Sequence, residues 1–475
     1  MTLVVGMARS YWAERRYVLG VVLGEWLGLE WRPEEHPHAD VRIRLDGEDD
    51  RVVTLPDVLF ATDRAHWLTE AALPREPLSR RAVGDVGAGV LSAGERLPVL
   101  YGTSVPDDRP LAELDPTGVR LHVDVFGSVF AMLTRYEEAI PGDRDGYERY
   151  PAAAALAVRA DFLRTPLVDA YVELLRAALQ RLRPALATSR PDYRVLLSHD
   201  VDDPLSTLGR SRPLLARQLA GDVLRRRDPG LLLRRARALV DARRGRLDRD
   251  PHNTFDFLMT VSERHGVRSA FYFLANNDVN PHGGRFDLLD HPWVGRLMGR
   301  VHQRGHEVGF HAGLGTFRDA ERTAQEFAHL RAVAERAGVR QDVWGGRQHY
   351  LQWANPATWR NWDEAGLAYD CTLAFSEAVG FRTGTCREYP VFDLVARRPL
   401  DLRERPFQVM DVSLFGYMGL RPDAAFAAVV DVARACRRFR GDLGILWHND
   451  EILRTARQKR WYAELIAAVT LSTTA

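Results

Sequence analysis

Residues 193–203 read YRVLLSHDVDD, an apolar run that ends in one histidine and three carboxylates. The first five residues have the composition of a buried strand. Asp200 and Asp202 are two residues apart, so on a strand both side chains point to the same face. Neighbouring carboxylates repel each other unless a cation or a proton lies between them. The stretch therefore predicts a charged site at the end of a strand.

Further apolar runs follow this stretch towards the C-terminus, and helical patterns separate most of them. The runs read SAFYFLAN, HEVGFH, QDVWGGRQHY, AYDCTLAF, FQVMDVSLF and DLGILWHND. Strands that alternate with helices predict a parallel sheet. Seven strand candidates over about 280 residues favour a sheet closed into a barrel over a small open sheet.

Polar residues stand repeatedly at the C-terminal ends of these runs. In βα barrels the active site lies at that face, because all the strands end there. One polar residue at a strand end can simply make hydrogen bonds within the fold and needs no functional explanation. The same pattern at five strand ends favours a functional site. The residues are Asp200, Asp202, His311, Arg347, His349, Asp370 and His448.

The chain divides into two regions by pattern. Residues 1–190 mix short β-like runs with helical patterns and contain no recognisable cluster of histidines, cysteines or carboxylates. We expect a mixed α/β accessory domain of unknown role there, and the barrel over 191–475. Within the latter, the arginine-rich stretch 207–250 has leucines at helical spacing and interspersed acids, which predicts a helical insertion with a solvated basic face.

Composition excludes some classes of function. The formal net charge is +1, so no strong field directs the whole chain to nucleic acid or to a membrane surface. Three cysteines are too few for a disulfide framework, and charged residues interrupt the N-terminus where a signal peptide would be apolar. We expect a cytoplasmic protein without a membrane span. The oligomeric state is left open.

The strand-end residues together suit metal-assisted hydrolysis of an amide or ester. His311 and a carboxylate are ligands for a divalent ion such as zinc, which activates water and polarises a carbonyl. Arg347 has the planar fork that can hold a carboxylate in place. His448 is a candidate proton donor. We therefore expect Asp200 and His448 to share one cleft.

These residues also carry a resemblance to a known family. SHDVDD (198–203), GHEVGFH (305–311), RQHY (347–350) and ILWHND (445–450) resemble, in order, four motifs of the polysaccharide deacetylases, carbohydrate esterases with a NodB-type domain. The resemblance implies a distorted (β/α)7 barrel over the C-terminal region. The N-terminal region resembles an accessory domain found ahead of some of these enzymes.

The resemblance also implies a role for each matching residue. Asp200 would be the general base, and Arg347 would hold it. Asp202 and His311 would bind the metal. The Tyr350 backbone N–H would help to stabilise the oxyanion, and His448 would be the general acid.

The sequence departs from the family pattern at the metal site. The second motif usually carries another histidine four residues after the first, and that position is Gly315 here. His199, Asp203 or His349 is a candidate third ligand. Alternatively, two protein ligands hold the ion weakly, or the enzyme uses no metal.

The expected activity is removal of an N-acyl group, most readily acetyl, from an amino sugar or a glycoconjugate. A small-molecule substrate inside the cell fits the N-terminus better than a cell-wall polymer, and Arg382 is a candidate substrate contact. Two alternatives remain: a metal-free amide hydrolase of the same fold that acts on a non-sugar substrate, and an inactive barrel kept as a binding module.

Overall fold

The fold is taken from a computed structural model of the 475-residue chain. Most of both regions is described, with gaps that fall mainly in the arginine-rich stretch and in the segment before residue 288. The described residues are 2–36, 39–48, 51–86, 89–103, 106, 108–207, 215–216, 219–220, 229–276, 288–450, 453 and 455–471.

The N-terminal region is built on a mixed six-stranded sheet of order β2-β1-β3-β4-β8-β7, and β5 and β6 form a separate hairpin-like pair. Alternating burial along β3 and β8 shows that one face of this sheet packs inward. The strands are β1 (Thr2–Met7), β2 (Glu30–Glu35), β3 (Asp40–Leu45), β4 (Val52–Pro56), β5 (Arg80–Ala82), β6 (Arg96–Pro98), β7 (Ala112–Asp115) and β8 (Gly118–Leu121).

Helices cover this sheet. The longest has apolar residues at helical spacing and is buried along most of its length. A π-helical segment, Gly20–Trp26, continues the first helix. The helices are α1 (Trp12–Leu19), α2 (Val125–Leu133), α3 (Tyr136–Ala139), α4 (Leu156–Arg159) and α5 (Leu167–Leu182).

The C-terminal region is built on a nine-stranded sheet in which neighbouring strands run parallel, except at one edge. Its order is β14-β15-β13-β12-β11-β10-β9-β17-β16. The central strands are buried on both faces, as in sheets that helices cover on each side. The strands are β9 (Arg194–Val201), β10 (Ala270–Leu274), β11 (Glu307–Ala312), β12 (Gly345–Gln348), β13 (Tyr369–Asp370), β14 (Tyr389–Asp393), β15 (Arg398–Glu404), β16 (Val409–Met410) and β17 (Asp442–Leu446).

The predicted α/β class with parallel strands is confirmed, but a closed barrel is not shown. Among the described residues no pairing joins β16 to the β14–β15 edge. The antiparallel pairing of β14 with β15 ends the parallel series on that side. The architecture is therefore a mainly parallel sheet whose parallel strands have their carboxyl ends at one edge.

Helices between the strands complete the C-terminal region. Part of the predicted arginine-rich insertion (208–214, 217–218 and 221–228) lies outside the described residues, and its described part includes the helix Pro229–Arg243. A π-helical turn, Ser413–Tyr417, follows β16. The helices are α6 (Pro229–Arg243), α7 (Phe255–Arg264), α8 (Pro292–Gln303), α9 (Ala320–Arg336), α10 (Ala357–Glu364), α11 (Pro422–Arg438) and α12 (Ala456–Thr470).

The two regions share a continuous hydrophobic core and buried ion pairs. The Glu138 carboxylate of α3 accepts from the Arg382 guanidinium at 2.9 and 2.5 Å, and it also pairs with Arg135. Asp169 of α5 pairs with Arg387 at 2.8 Å. Buried charges need such partners, so these pairs fix how the N-terminal region sits against the sheet. Within the described residues, no helix is long and apolar enough to cross a membrane.

Candidate active site

A cleft of about 330 Å³ opens where the carboxyl ends of β9, β11, β12 and β17 meet. This volume lies within the range of small-molecule sites. The cleft brings together most of the residues that the sequence singled out. The polar side chains at its base are Asp200, Asp202, His311, His349, Tyr350 and His448.

Asp200 and Arg347 form the predicted ion pair, which is confirmed. Arg347 Nη1 lies 2.6 Å from Asp200 Oδ1, and both side chains are buried. The rest of the guanidinium donates to the Cys371 carbonyl at 2.7 Å and to Ser198 Oγ at 2.9 Å. Burial alone would lower the pKa of Arg347, but the Asp200 carboxylate raises it. Arg347 therefore holds one Asp200 oxygen and leaves the other directed towards His311.

Glycine immediately before Arg347 allows this arrangement. A Cβ at Gly346 would collide with the Phe310 carbonyl of the neighbouring strand. The close approach of β12 to β11 also brings the Arg347 carbonyl within 2.8 Å of His311 Nδ1. A carbonyl can only accept, so Nδ1 carries the proton, and in the neutral ring Nε2 presents its lone pair to the cleft.

Asp202, His311 and His349 form a group that could hold a metal ion, since their ligand atoms lie within 4.8 Å of one another. Asp202 Oδ1 lies 3.0 Å from His311 Nε2, and Oδ2 lies 3.7 Å from His349 Nε2. Donor atoms that share a tetrahedral ion at about 2.1 Å are about 3.4 Å apart. The spacing therefore fits a divalent ion, and of the three candidate third ligands only His349 joins this group among the described residues.

The surroundings and the charges of these three side chains are also suited to a bound cation. Asp202 Oδ1 is shielded from solvent and lies within hydrogen-bond distance of His311 Nε2. Burial would raise the pKa of Asp202, but the imidazoles of His349 and His311 hold it well below its usual range. Burial lowers the pKa of His349, which favours the neutral, ligating form of its ring. One anionic and two imidazole donors suit zinc and similar ions.

His448 is held by a carboxylate that the sequence did not single out. Its Nδ1 donates to Asp411 Oδ1 at 2.8 Å, and its backbone N–H donates to Oδ2 at 2.9 Å. Burial works against the charged ring, but the Asp411 carboxylate raises the pKa of His448 well above its usual value. His448 Nε2 points into the cleft, 3.7 Å from Asp202 Oδ2. The expectation that Asp200 and His448 share one cleft is thus confirmed.

The N-terminal region supplies one wall of the cleft. The Tyr147 ring stacks on Tyr350 at 4.8 Å, and Arg149 donates to the Tyr350 carbonyl at 3.3 Å and to the Tyr417 hydroxyl at 3.2 Å. Tyr350 has a left-handed backbone (φ 59°), which costs free energy unless neighbouring contacts support it. The wall therefore supports the turn that carries Tyr350, a contribution that sequence reasoning missed.

Three residues predicted as ligands or substrate contacts lie elsewhere. His199 alternates with Asp200 along β9, and its Nδ1 donates to the Trp447 carbonyl at 2.8 Å while its ring contacts Phe271. Asp203 lies near His252, with 3.3 Å between Oδ2 and Nδ1. The Arg382 guanidinium is buried and bound to Glu138, and Arg382 is not among the described residues that line the cleft.

Parts of this chain are similar to known proteins. Residues 3–184 match a family described only as a family of unknown function, DUF7033. A Mycobacterium smegmatis protein provisionally described as a polysaccharide deacetylase has a solved structure similar to 60% of this chain and 86% of its own, with 20% identity and a TM-score of 0.39. No curated protein matches the chain. None of these findings names a reaction for this chain.

Proposed function

We propose that this protein is a metal-dependent hydrolase that removes an N-acyl group, acetyl in the first instance, from an amino sugar or a glycoconjugate. The observation that carries the proposal is the content of one cleft: a carboxylate held by an arginine, a histidine held by a carboxylate, and a three-residue group with ligand spacing. Metal-assisted amide hydrolysis uses these parts together: a base, an acid and an electrophile.

Asp200 is the proposed base. Arg347 fixes one of its oxygens, and the other faces the cleft near His311, 3.8 Å from Nε2. A carboxylate in this position takes a proton from a water bound in the cleft as that water attacks the acyl carbon. The buried ion pair orients Asp200, and loss of either partner would leave an uncompensated buried charge at a cost of about 3–5 kcal/mol.

His448 is the proposed acid. Asp411 accepts from its Nδ1, so the other nitrogen is the one directed at the leaving group. Transfer of a proton from His448 Nε2 to the departing amine completes the reaction. The Tyr350 backbone N–H is the proposed donor to the oxyanion, and the contacts of Arg149 and Tyr147 support the conformation of that residue.

Asp202, His311 and His349 would hold the metal ion. A divalent ion there supplies Lewis-acid polarisation of the acyl oxygen and lowers the pKa of a bound water. Zinc suits this group because two imidazoles and a carboxylate form one of its catalytic ligand sets.

The substrate class is proposed from the cleft and from the sequence motifs. A volume of about 330 Å³ with Tyr147, Tyr350 and Tyr417 along one wall suits a single sugar ring with its acyl group better than an extended polymer. A nucleotide-linked, lipid-linked or free small glycoside fits this description. The proposed location in the cytoplasm is in keeping with such a substrate.

The test is acetate release by the zinc-loaded protein from a panel of N-acetylated amino sugars: the free monosaccharide, its nucleotide conjugate and short oligomers. Asp200→Asn and His448→Gln, each first checked for folding by circular dichroism, should lower the rate by at least about 100-fold. A folded, metal-loaded protein that releases no acetate from any member would overturn the proposal. Release that persists in the presence of chelators would favour the metal-free amide hydrolase instead.

A further inference from the structure

A second group of ligand-type side chains lies beside the cleft. Asp203 follows β9, Asp450 follows β17, and His252 lies in the loop before α7. One ligand atom from each residue lies within 4.8 Å of the other two. These three residues are not among the described residues that line the cleft, so the group is distinct from the one formed by Asp202.

The donor atoms of this second group lie at distances that binding to one common ion allows. The His252 side chain is 3% exposed and that of Asp203 13%, and His252 Nδ1 lies 3.3 Å from Asp203 Oδ2. Two donors on one tetrahedral ion are about 3.4 Å apart, since each is about 2.1 Å from the metal. A charge-assisted hydrogen bond between a protonated histidine and a carboxylate is shorter, about 2.7–2.9 Å. The spacing therefore favours a common cation over a direct ion pair.

The three segments are fixed by other contacts. Asn449 Nδ2 donates to the carbonyls of Asp203 and His252, at 3.2 and 2.9 Å. Asp250 Oδ1 accepts from the backbone N–H groups of Ser206 and His252, at 2.8 and 2.9 Å. The backbone thus holds the three ligand residues in place.

We propose that Asp203, His252 and Asp450 hold a second divalent transition-metal ion, such as Zn²⁺. One imidazole and two carboxylates are suitable donors for such an ion. β9 and β17 are neighbouring strands that also carry Asp200 and lead to His448. The second ion ties together the segments that follow these two strands, so its role is to position the catalytic residues rather than to take part in the reaction.

The experiment counts bound zinc and does not depend on activity. Untagged apoprotein is saturated with ZnSO₄, freed of excess by gel filtration, and analysed by mass spectrometry for zinc per chain. The wild type should retain two equivalents, His252→Gln one, and His311→Gln one. His329→Gln is the matched control, because His329 pairs with Asp290 at 3.0 Å on the surface, and it should retain two.

The result that would overturn the second site is a wild type that retains one equivalent or none, with His252→Gln unchanged from it. Loss of zinc in His311→Gln alone would remove the second site and leave the first. Loss of zinc in His252→Gln alone would support the second site and would mean that the proposed reaction does not use a metal at the first. If His252→Gln does not fold by circular dichroism, Asp450→Asn takes its place with the same expected loss of one equivalent.

Discussion

His349→Ala is the substitution that tests the composition of the metal group most sharply. It removes one of three ligand atoms, with Nε2 3.7 Å from Asp202 Oδ2. Structural zinc sites with four ligands bind with about 10–16 kcal/mol, which is about 3 kcal/mol per ligand. Since 1.4 kcal/mol corresponds to a tenfold change in affinity, the Kd for zinc should rise about 100-fold.

The assay is a zinc titration of apoprotein against a chromophoric indicator. Each variant also carries His252→Gln, so that the second group does not bind zinc. His199→Ala is the matched control, because His199 is also buried but its ring faces Phe271 on the other side of β9. We expect the control to retain the Kd of the parent. Circular dichroism checks that both variants fold.

The reasoning would be refuted by a Kd that His349→Ala leaves unchanged. It would also be refuted by an increase that His199→Ala reproduces, because His199 would then be the third ligand or the effect would be one of general stability.

Three further predictions follow from the same contacts. Gly315→His should not tighten zinc binding in a titration, because Gly315 has a left-handed backbone (φ 87°) in which a side chain costs about 1 kcal/mol, and His349 already supplies the ligand. Asp411→Asn should lower kcat for acetate release by at least about 100-fold while zinc per chain stays unchanged, since His448 loses its carboxylate partner. Burial would raise the pKa of Glu138, but Arg382 and Arg135 lower it to about 2. The ionised Glu138 carboxylate therefore contributes about 3 kcal/mol to the free energy of unfolding above its unfolded pKa, and this contribution is lost as pH falls towards about 2. The difference in thermal stability between wild type and Glu138→Gln should accordingly narrow between about pH 5 and pH 3.

The strand ends could be predicted from the sequence because the pattern is local. Apolar runs that end in Asp200, His311, Arg347 and His448 give both the parallel sheet and the edge at which these residues meet. The alternation of side chains along a strand also indicates that His199 faces away from Asp200. That reasoning alone would have removed His199 from the candidate ligands.

The choice of His349 over Asp203 could not be made from the sequence. His349 lies in a turn just after β12, beyond the strand alternation, and the next residue, Tyr350, has a left-handed backbone. Asp203 lies just beyond β9, where the strand alternation no longer applies, and it faces His252 from a distant part of the chain. Both directions are set by tertiary contacts.

Asp411 and the wall from the N-terminal region were missed for different reasons. Asp411 follows an apolar run just as Asp200 does, so the signal was present in FQVMD. Tyr147 and Arg149 lie about 200 residues from the Tyr350 turn that they contact, and no local pattern predicts that contact. Arg382 shows the opposite error. The sequence suggested a substrate contact, but its guanidinium forms a buried ion pair with Glu138.

The most direct test of the central claim is the anomalous diffraction of crystals grown with zinc, recorded on both sides of the zinc absorption edge. The account predicts a peak about 2.0–2.2 Å from an Asp202 carboxylate oxygen and from Nε2 of both His311 and His349. A zinc-saturated crystal with no peak between these three side chains, or with a peak there that His349 does not contact, would contradict it.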